Sequence, residues 1–179
     1  MDSAPQPWTV DRRVLRLLDY WRIRQPAAGR LPARADIDPV ALGPDLLPYM
    51  ALVDVIDAGG DKAFRFRLVG TMLAEQAGLD LTGHRIDELN PNRSYAAYIN
   101  GLYQQSLASR RPVYSETGYR ALSGRRGLTR RLICPLAADG LVPDMFVAIQ
   151  VFETDTAFGD APTYTHAKDF IPGPTLVVP

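Results

Sequence analysis

Hydrophobic and polar positions change period several times along this chain, and each change marks an element. In "TVDRRVLRLLDYWRIR", Val10, Val14, Leu17, Leu18 and Trp21 recur at helical spacing with arginines on the other faces, which predicts an amphipathic helix. Thr9 is its predicted N-cap, and Arg22 and Arg24 complement the dipole at its C-terminal end. The next stretch, "QPAAGRLPARADIDPVALGPDLLPYM", holds five prolines and reads as short helical turns joined by bends. Within it Asp38-Pro39 pairs a good cap with a residue suited to the first helical turn. Alternation then takes over in "YMALVDVIDAGGDKAFRFRLVG", two β-rich runs about a Gly-Gly-Asp-Lys turn, hence a hairpin.

At Gly70 the period shifts again. Thr71 can cap "MLAEQAG" and Gly78 supplies a left-handed stop, so a strand runs straight into a helix of barely two turns. Turn chemistry at Thr82-Gly83 and one helical turn at Ile86 to Leu89 precede the main helix, capped by Asn90 or Asn92. Its Tyr95, Tyr98, Ile99, Leu102, Tyr103 and Leu107 share a face, and Arg110-Arg111-Pro112 closes it. Three strands follow as a meander: "PVYSETGYRAL", "LTRRLICPL" and "VPDMFVAIQVFE". The remainder carries four prolines and no sustained period; it reads as an irregular tail in which "TLVVP" can pair with a sheet edge.

Strands grouped at both ends of a helical middle predict an α+β domain with one antiparallel sheet, not a doubly wound nucleotide fold. The organisation expected is a leader and amphipathic helix over 1–30, the domain over 31–153 and the tail over 154–179. A chain of 179 residues, 46% hydrophobic, suits one core. Twenty basic residues balance twenty acidic ones, so no global field favours nucleic acid or anionic lipid. Cys134 stands alone, which excludes a disulfide framework, and neither a signal-peptide pattern nor an 18-residue apolar run occurs. A cytoplasmic protein without a transmembrane segment is expected.

Candidate chemistry is sparse. His84 has no second ligand at metal-binding spacing, and Asp36, Asp38, Asp87 and Glu88 read as caps and solvated turns. No serine or cysteine sits in a nucleophile elbow. No catalytic residue and no metal site are therefore assigned. The tyrosine stripe, Tyr95, Tyr98 and Tyr103 beside Ile99 and Leu102, reads first as plain core, but a buried hydroxyl needs a partner, so three of them imply an exposed rim or polar groups in the interior, and a ligand cavity is the alternative. Arg120, Arg125, Arg126, Arg130 and Arg131 form a basic cluster across the third hairpin, which reads first as solvated strand faces and a charged turn, with an anionic partner or head group as the alternative.

The strings "RADIDPVAL", "LLPYMALVDV", "FRFRLVGT", "GLDLTGHRIDEL", "RRPV" and "RRLICPLAADG", in this order, resemble a family of small bacterial proteins made mainly of one divergent PAS domain. The likeness covers roughly residues 15–153. It implies a five-stranded antiparallel sheet with the two N-terminal strands in the middle, helices over one face and a small cavity between them. Gly70-Thr71 becomes the corner where the second strand leaves the sheet. Arg67 and Arg131 lie within apolar strands in the matching strings, so both are expected as inward or interfacial arginines at the ligand site. An Asn-Cys-Arg-Phe string for a photoreactive flavin is missing, and the main helix has no histidine for haem, so no cofactor is expected.

The resemblance implies a stand-alone sensory, signalling or protein-interaction module, not an enzyme, with a small-molecule ligand and an unidentified signalling partner. The alternative is a small cavity enzyme, isomerase or hydrolase-like. A homodimer is expected through the N-terminal helix, whose Val10, Val14, Leu17, Leu18 and Trp21 offer apolar surface.

Overall fold

The computed structural model describes residues 11–88, 93–121, 126–154 and 167–179. The first helix, α1 (Arg12–Ile23), opens at Asp11, whose Oδ1 accepts from the Arg13 backbone N–H at 2.8 Å. Thr9 and Val10 lie outside the described residues. The short helix α2 (Pro39–Leu42) starts as its sequence indicates, with Asp38 Oδ1 accepting from Val40 N at 2.9 Å and proline in the first turn.

Strands β1 (Met50–Ala58) and β2 (Asp61–Val69) form the hairpin, and its two linking glycines take φ of +72° and +101°, the backbone a tight two-residue turn needs. The chain then enters α3 (Thr71–Ala77) with Gly70, not Thr71, at the cap position. Gly70 has an ordinary φ of −68°. It is needed for space: a Cβ there would overlap the carbonyl oxygens of Leu47 and Pro48. Gly78 does end the helix in the left-handed region, at φ +73°.

The main helix, α4 (Arg93–Ser109), leads into β3 (Val113–Ala121), β4 (Arg126–Leu136) and β5 (Met145–Thr154). The caps expected at Asn90 or Asn92 lie outside the described residues. A sixth strand, β6 (Ala167–Val177), comes from the stretch read as irregular tail; its sheet pairing begins well before "TLVVP". Prolines 172 and 174 hid it, and they are tolerated because β6 is an edge strand. The sheet order is β2-β1-β5-β4-β3-β6, with every neighbouring pair antiparallel, so the five expected strands are joined by one more beside β3, and β2, expected in the middle with β1, is instead an edge.

Both faces of this sheet are covered. On one, Val14, Leu17, Leu18 and Trp21 of α1 pack on Leu132, Cys134, Leu136, Val147 and Ile149. On the other, Leu73 of α3 and Ile99, Leu102 and Tyr103 of α4 pack on Val53, Phe64, Ile133 and Phe146. Each buried aliphatic side chain contributes about 1.5–3 kcal/mol. Trp21 adds a buried hydrogen bond from its indole Nε1 to Pro135 O at 2.8 Å. Of the apolar residues that suggested dimerisation through α1, Val14, Leu17, Leu18 and Trp21 are thus consumed within their own chain. Among the described residues, no helix is long and apolar enough to cross a membrane.

Candidate functional site

Beneath the N-terminal half of α4 the sheet turns polar. Ser115 and Thr117 on β3, Thr129 and Arg131 on β4 and Gln150 on β5 are all buried. Register brings them together: Arg131 pairs with Ser115 on one side and Gln150 on the other, and Thr117 pairs with Thr129 in the next row. Pleating puts these five on the α4 face, in phase with Ile133 and Ala148 of the α4-side core.

Arg131 organises this floor. Its Nε donates to Gln150 Oε1 at 3.1 Å, Nη1 to Ser115 Oγ at 3.4 Å and Nη2 to the Tyr95 hydroxyl at 3.2 Å. Aromatic rings wall the site. Phe170 of β6 sits edge-on to Tyr95 at 5.3 Å and tilted to Tyr98 at 5.7 Å, and the Tyr119 ring fills the space where Gly127 has no side chain. The Tyr98 hydroxyl lies 3.5 Å from both Glu116 O and Thr175 Oγ1. Two buried polar atoms of the floor, Thr117 Oγ1 and Gln150 Nε2, have no hydrogen-bond partner among the described residues. Protein interiors rarely leave such groups unpaired.

The expected site residues divide into three groups. Tyr95, Tyr98 and Arg131 meet at this floor. Leu102 and Tyr103 belong to the apolar core, Tyr103 packing on Phe64 at 5.2 Å and Phe146 at 5.3 Å. Arg67 is on the opposite face of the sheet, its side chain 57% exposed, with Nε donating to Asp54 Oδ1 at 2.7 Å. Alternation alone sets Arg67 opposite Phe64 and Phe66, and those two face α4; the bulge at Arg67, where Leu52 pairs with Leu68 but Val53 pairs with Phe66, moves only Leu68 out of phase with them. The floor residues Ser115, Thr117, Thr129 and Gln150 were not foreseen from sequence. The available signal was Gln150, a polar residue inside the apolar run "FVAIQVF", and the in-phase hydroxyls of "YSETGY".

The basic cluster does not form one patch from its described side chains. Arg131 faces α4, whereas Arg130 faces the α1 side with Glu116 at 3.4 Å and Glu153 beside it. Arg125 and the side chains of Arg120 and Arg126 lie outside the described residues. Burial pulls the Arg130 guanidinium down, but Glu153 and Glu116 together hold it above its ordinary value. Burial, then the hydrogen bond to Glu116 at 2.6 Å, raises the Tyr114 hydroxyl well above its ordinary value. The carboxylates read as caps and turns behave that way: Asp36 accepts from Ala33 N, Asp38 caps α2, and Asp87 and Glu88 pair with Arg85. His84 is exposed, and its backbone carbonyl accepts from Phe66 N. Burial pushes the Cys134 thiol up.

An antiparallel sheet in the order 2-1-5-4-3, carrying its two intervening helices over one face, defines a sensory or interaction domain of the PAS type. A family model described as PAS domain matches residues 11–149, and the chain belongs to that family. The match ends before β6, so Phe170 is contributed by a segment beyond it. No curated protein matches the chain.

Proposed function

We propose that this PAS domain senses a small polar molecule held on the α4-side floor and reports it, through β6, to a signalling partner. The observation that carries the reading is the pair of buried, unpartnered atoms Thr117 Oγ1 and Gln150 Nε2 beside the Arg131 network. A ligand with an acceptor for the amide and a group that bonds the hydroxyl relieves both. Occupancy acts on Tyr95 and Tyr98, hence on Phe170 and on the seating of β6 against β3. The partner surface proposed is therefore β6, not α1, and the setting is the cytoplasm. Turnover is not proposed, since the floor offers hydroxyls, an amide and a guanidinium, and none of these five side chains is a general base at neutral pH.

Native mass spectrometry of the purified protein looks for a retained small molecule, and a metabolite library is screened by thermal shift. The expected compound raises the melting temperature of the wild type but not of Gln150→Leu, and changes amide exchange along β3 and β6. A protein that retains no compound and shifts with none sinks the reading. Saturable turnover of a bound compound would move it to the enzyme class.

A further inference from the structure

A cavity of about 310 Å3 lies on the α1 side of the sheet, bordered by the end of α1, the α4–β3 corner and the residues after β6. Its size is at the lower end of the range for ligand pockets. The floor is apolar and buried: Trp21, Leu31, Pro112 and Val178. Because Pro135 O already takes the Trp21 indole N–H, the ring presents only its apolar surface. Around this floor stand the guanidinium groups of Arg22, Arg110 and Arg111, and no lining side chain is a carboxylate. Arg22 Nη2 donates to Pro179 O at 3.3 Å and Arg110 Nη2 to Gly29 O at 3.0 Å. The Arg111 guanidinium has no partner among the described residues.

Arginines at helix ends are ordinarily explained by the helix dipole. Arg110 needs more. Its φ of +56° makes it the one non-glycine residue with positive φ among those described, at the position after α4 where glycine fits without strain. Strain of this kind clusters at ligand sites, and here it is accepted where a guanidinium, not a hydrogen atom, reaches the pocket.

We propose that this pocket binds a small organic anion. The carboxylate or phosphate head pairs with Arg110 and Arg111, whose fork geometry suits both, and the apolar body lies against the edge of the Trp21 ring. Such a ligand ties α1, the α4–β3 corner and the C-terminal segment together.

The test uses the full chain with Trp8→Phe, which leaves Trp21 as the single tryptophan, and follows its emission during titration with phenyl phosphate, benzoate and inorganic phosphate. Phenyl phosphate or benzoate should saturate with a Kd on the order of 1 mM or tighter, and whichever binds more tightly assigns the head group. Inorganic phosphate, lacking the body, should bind more weakly. Arg111→Ala and Arg110→Gly should each weaken binding by about 10-fold, and Arg110→Gly should do so with an unchanged or higher melting temperature, which separates lost recognition from lost folding. Gln150→Leu should bind as well as the parent. The proposal is overturned if neither aromatic anion saturates, if both arginine variants bind like the parent, or if Gln150→Leu abolishes binding, since the anion then sits on the other face.

Discussion

Replacing Thr117 with valine should stabilise the ligand-free protein. Thr117 is 2% exposed, and its Oγ1 has no hydrogen-bond partner among the described residues. Valine keeps the β-branched shape and suits a strand, so the swap removes a hydroxyl and leaves the packing nearly unchanged. An unpaired buried polar group costs about 1–3 kcal/mol, so a gain of about 1 kcal/mol is the cautious figure. For a domain of this size that is a rise of about 2–4 °C in melting temperature. The neighbouring Ser115 supplies the control. It lies on the same face, but its Oγ accepts from Arg131 Nη1 at 3.4 Å, so Ser115→Ala should lose about 0.5–1.5 kcal/mol. Both variants are refolded from denaturant, confirmed free of bound compounds by native mass spectrometry, and compared by urea titration with circular dichroism. Opposite signs are the expected result. If Thr117→Val is destabilised as much as Ser115→Ala, the hydroxyl has a partner in the folded protein and the floor is an ordinary satisfied network.

Trp21→Phe deletes the hydrogen bond to Pro135 O and shrinks a ring that is 4% exposed, so it should cost about 2–4 kcal/mol; a change below 1 kcal/mol by urea titration refutes the buried placement of α1. Gly70→Ala drives a Cβ onto the Leu47 and Pro48 carbonyls and should cost about 1–3 kcal/mol or more, whereas a position that needed only flexibility would tolerate alanine. Asp11→Ala removes the α1 cap and should cost about 1 kcal/mol near neutrality. Burial raises the Asp11 carboxyl, but its side-chain and backbone hydrogen bonds with Arg13 outweigh this and leave it below the usual value of 3.8. Its charged-form contribution is therefore complete above that value and lost as pH falls through the lower folded value. Melting curves of wild type and variant should accordingly converge below about pH 4, and a gap that widens there contradicts the assignment.

Local chemistry carried much of the fold into the sequence. The Gly59-Gly60 turn, the Asp38-Pro39 start and the Gly78 stop each depend on one or two residues and their own backbone, so they could be read directly. Other features depend on partners far along the chain. Alternation in "LTRRLICPL" separates Arg131 from Leu132 but cannot say which neighbour faces α4, because both faces of β4 are buried. Arg67 was misplaced for the same reason: alternation sets it opposite Phe64 and Phe66, but nothing local says that the phenylalanine face is the one α4 covers. The floor itself is assembled by register across β3, β4 and β5, so no single strand contains its pattern. The tyrosine stripe pointed to α4, yet only Tyr95 and Tyr98 reach polar ground; Tyr103 packs between Phe64 and Phe146.

The sixth strand also changes how the sheet ends. Without it, β3 would present a full row of free backbone groups beside buried side chains, a template on which another chain could extend the sheet. β6 covers that row and offers a poorer one in its place, since Pro172 and Pro174 have no N–H to donate to an incoming strand. Gly173, between them, lies so close to Glu116 O that a Cβ would sit 2.9 Å from it, which binds β6 tightly to its one neighbour. The segment that seats Phe170 over the polar floor is thus also a terminator: it protects the molecule from polymerising along its sheet at high concentration, and a chain shortened before residue 167 should become prone to self-association through β3.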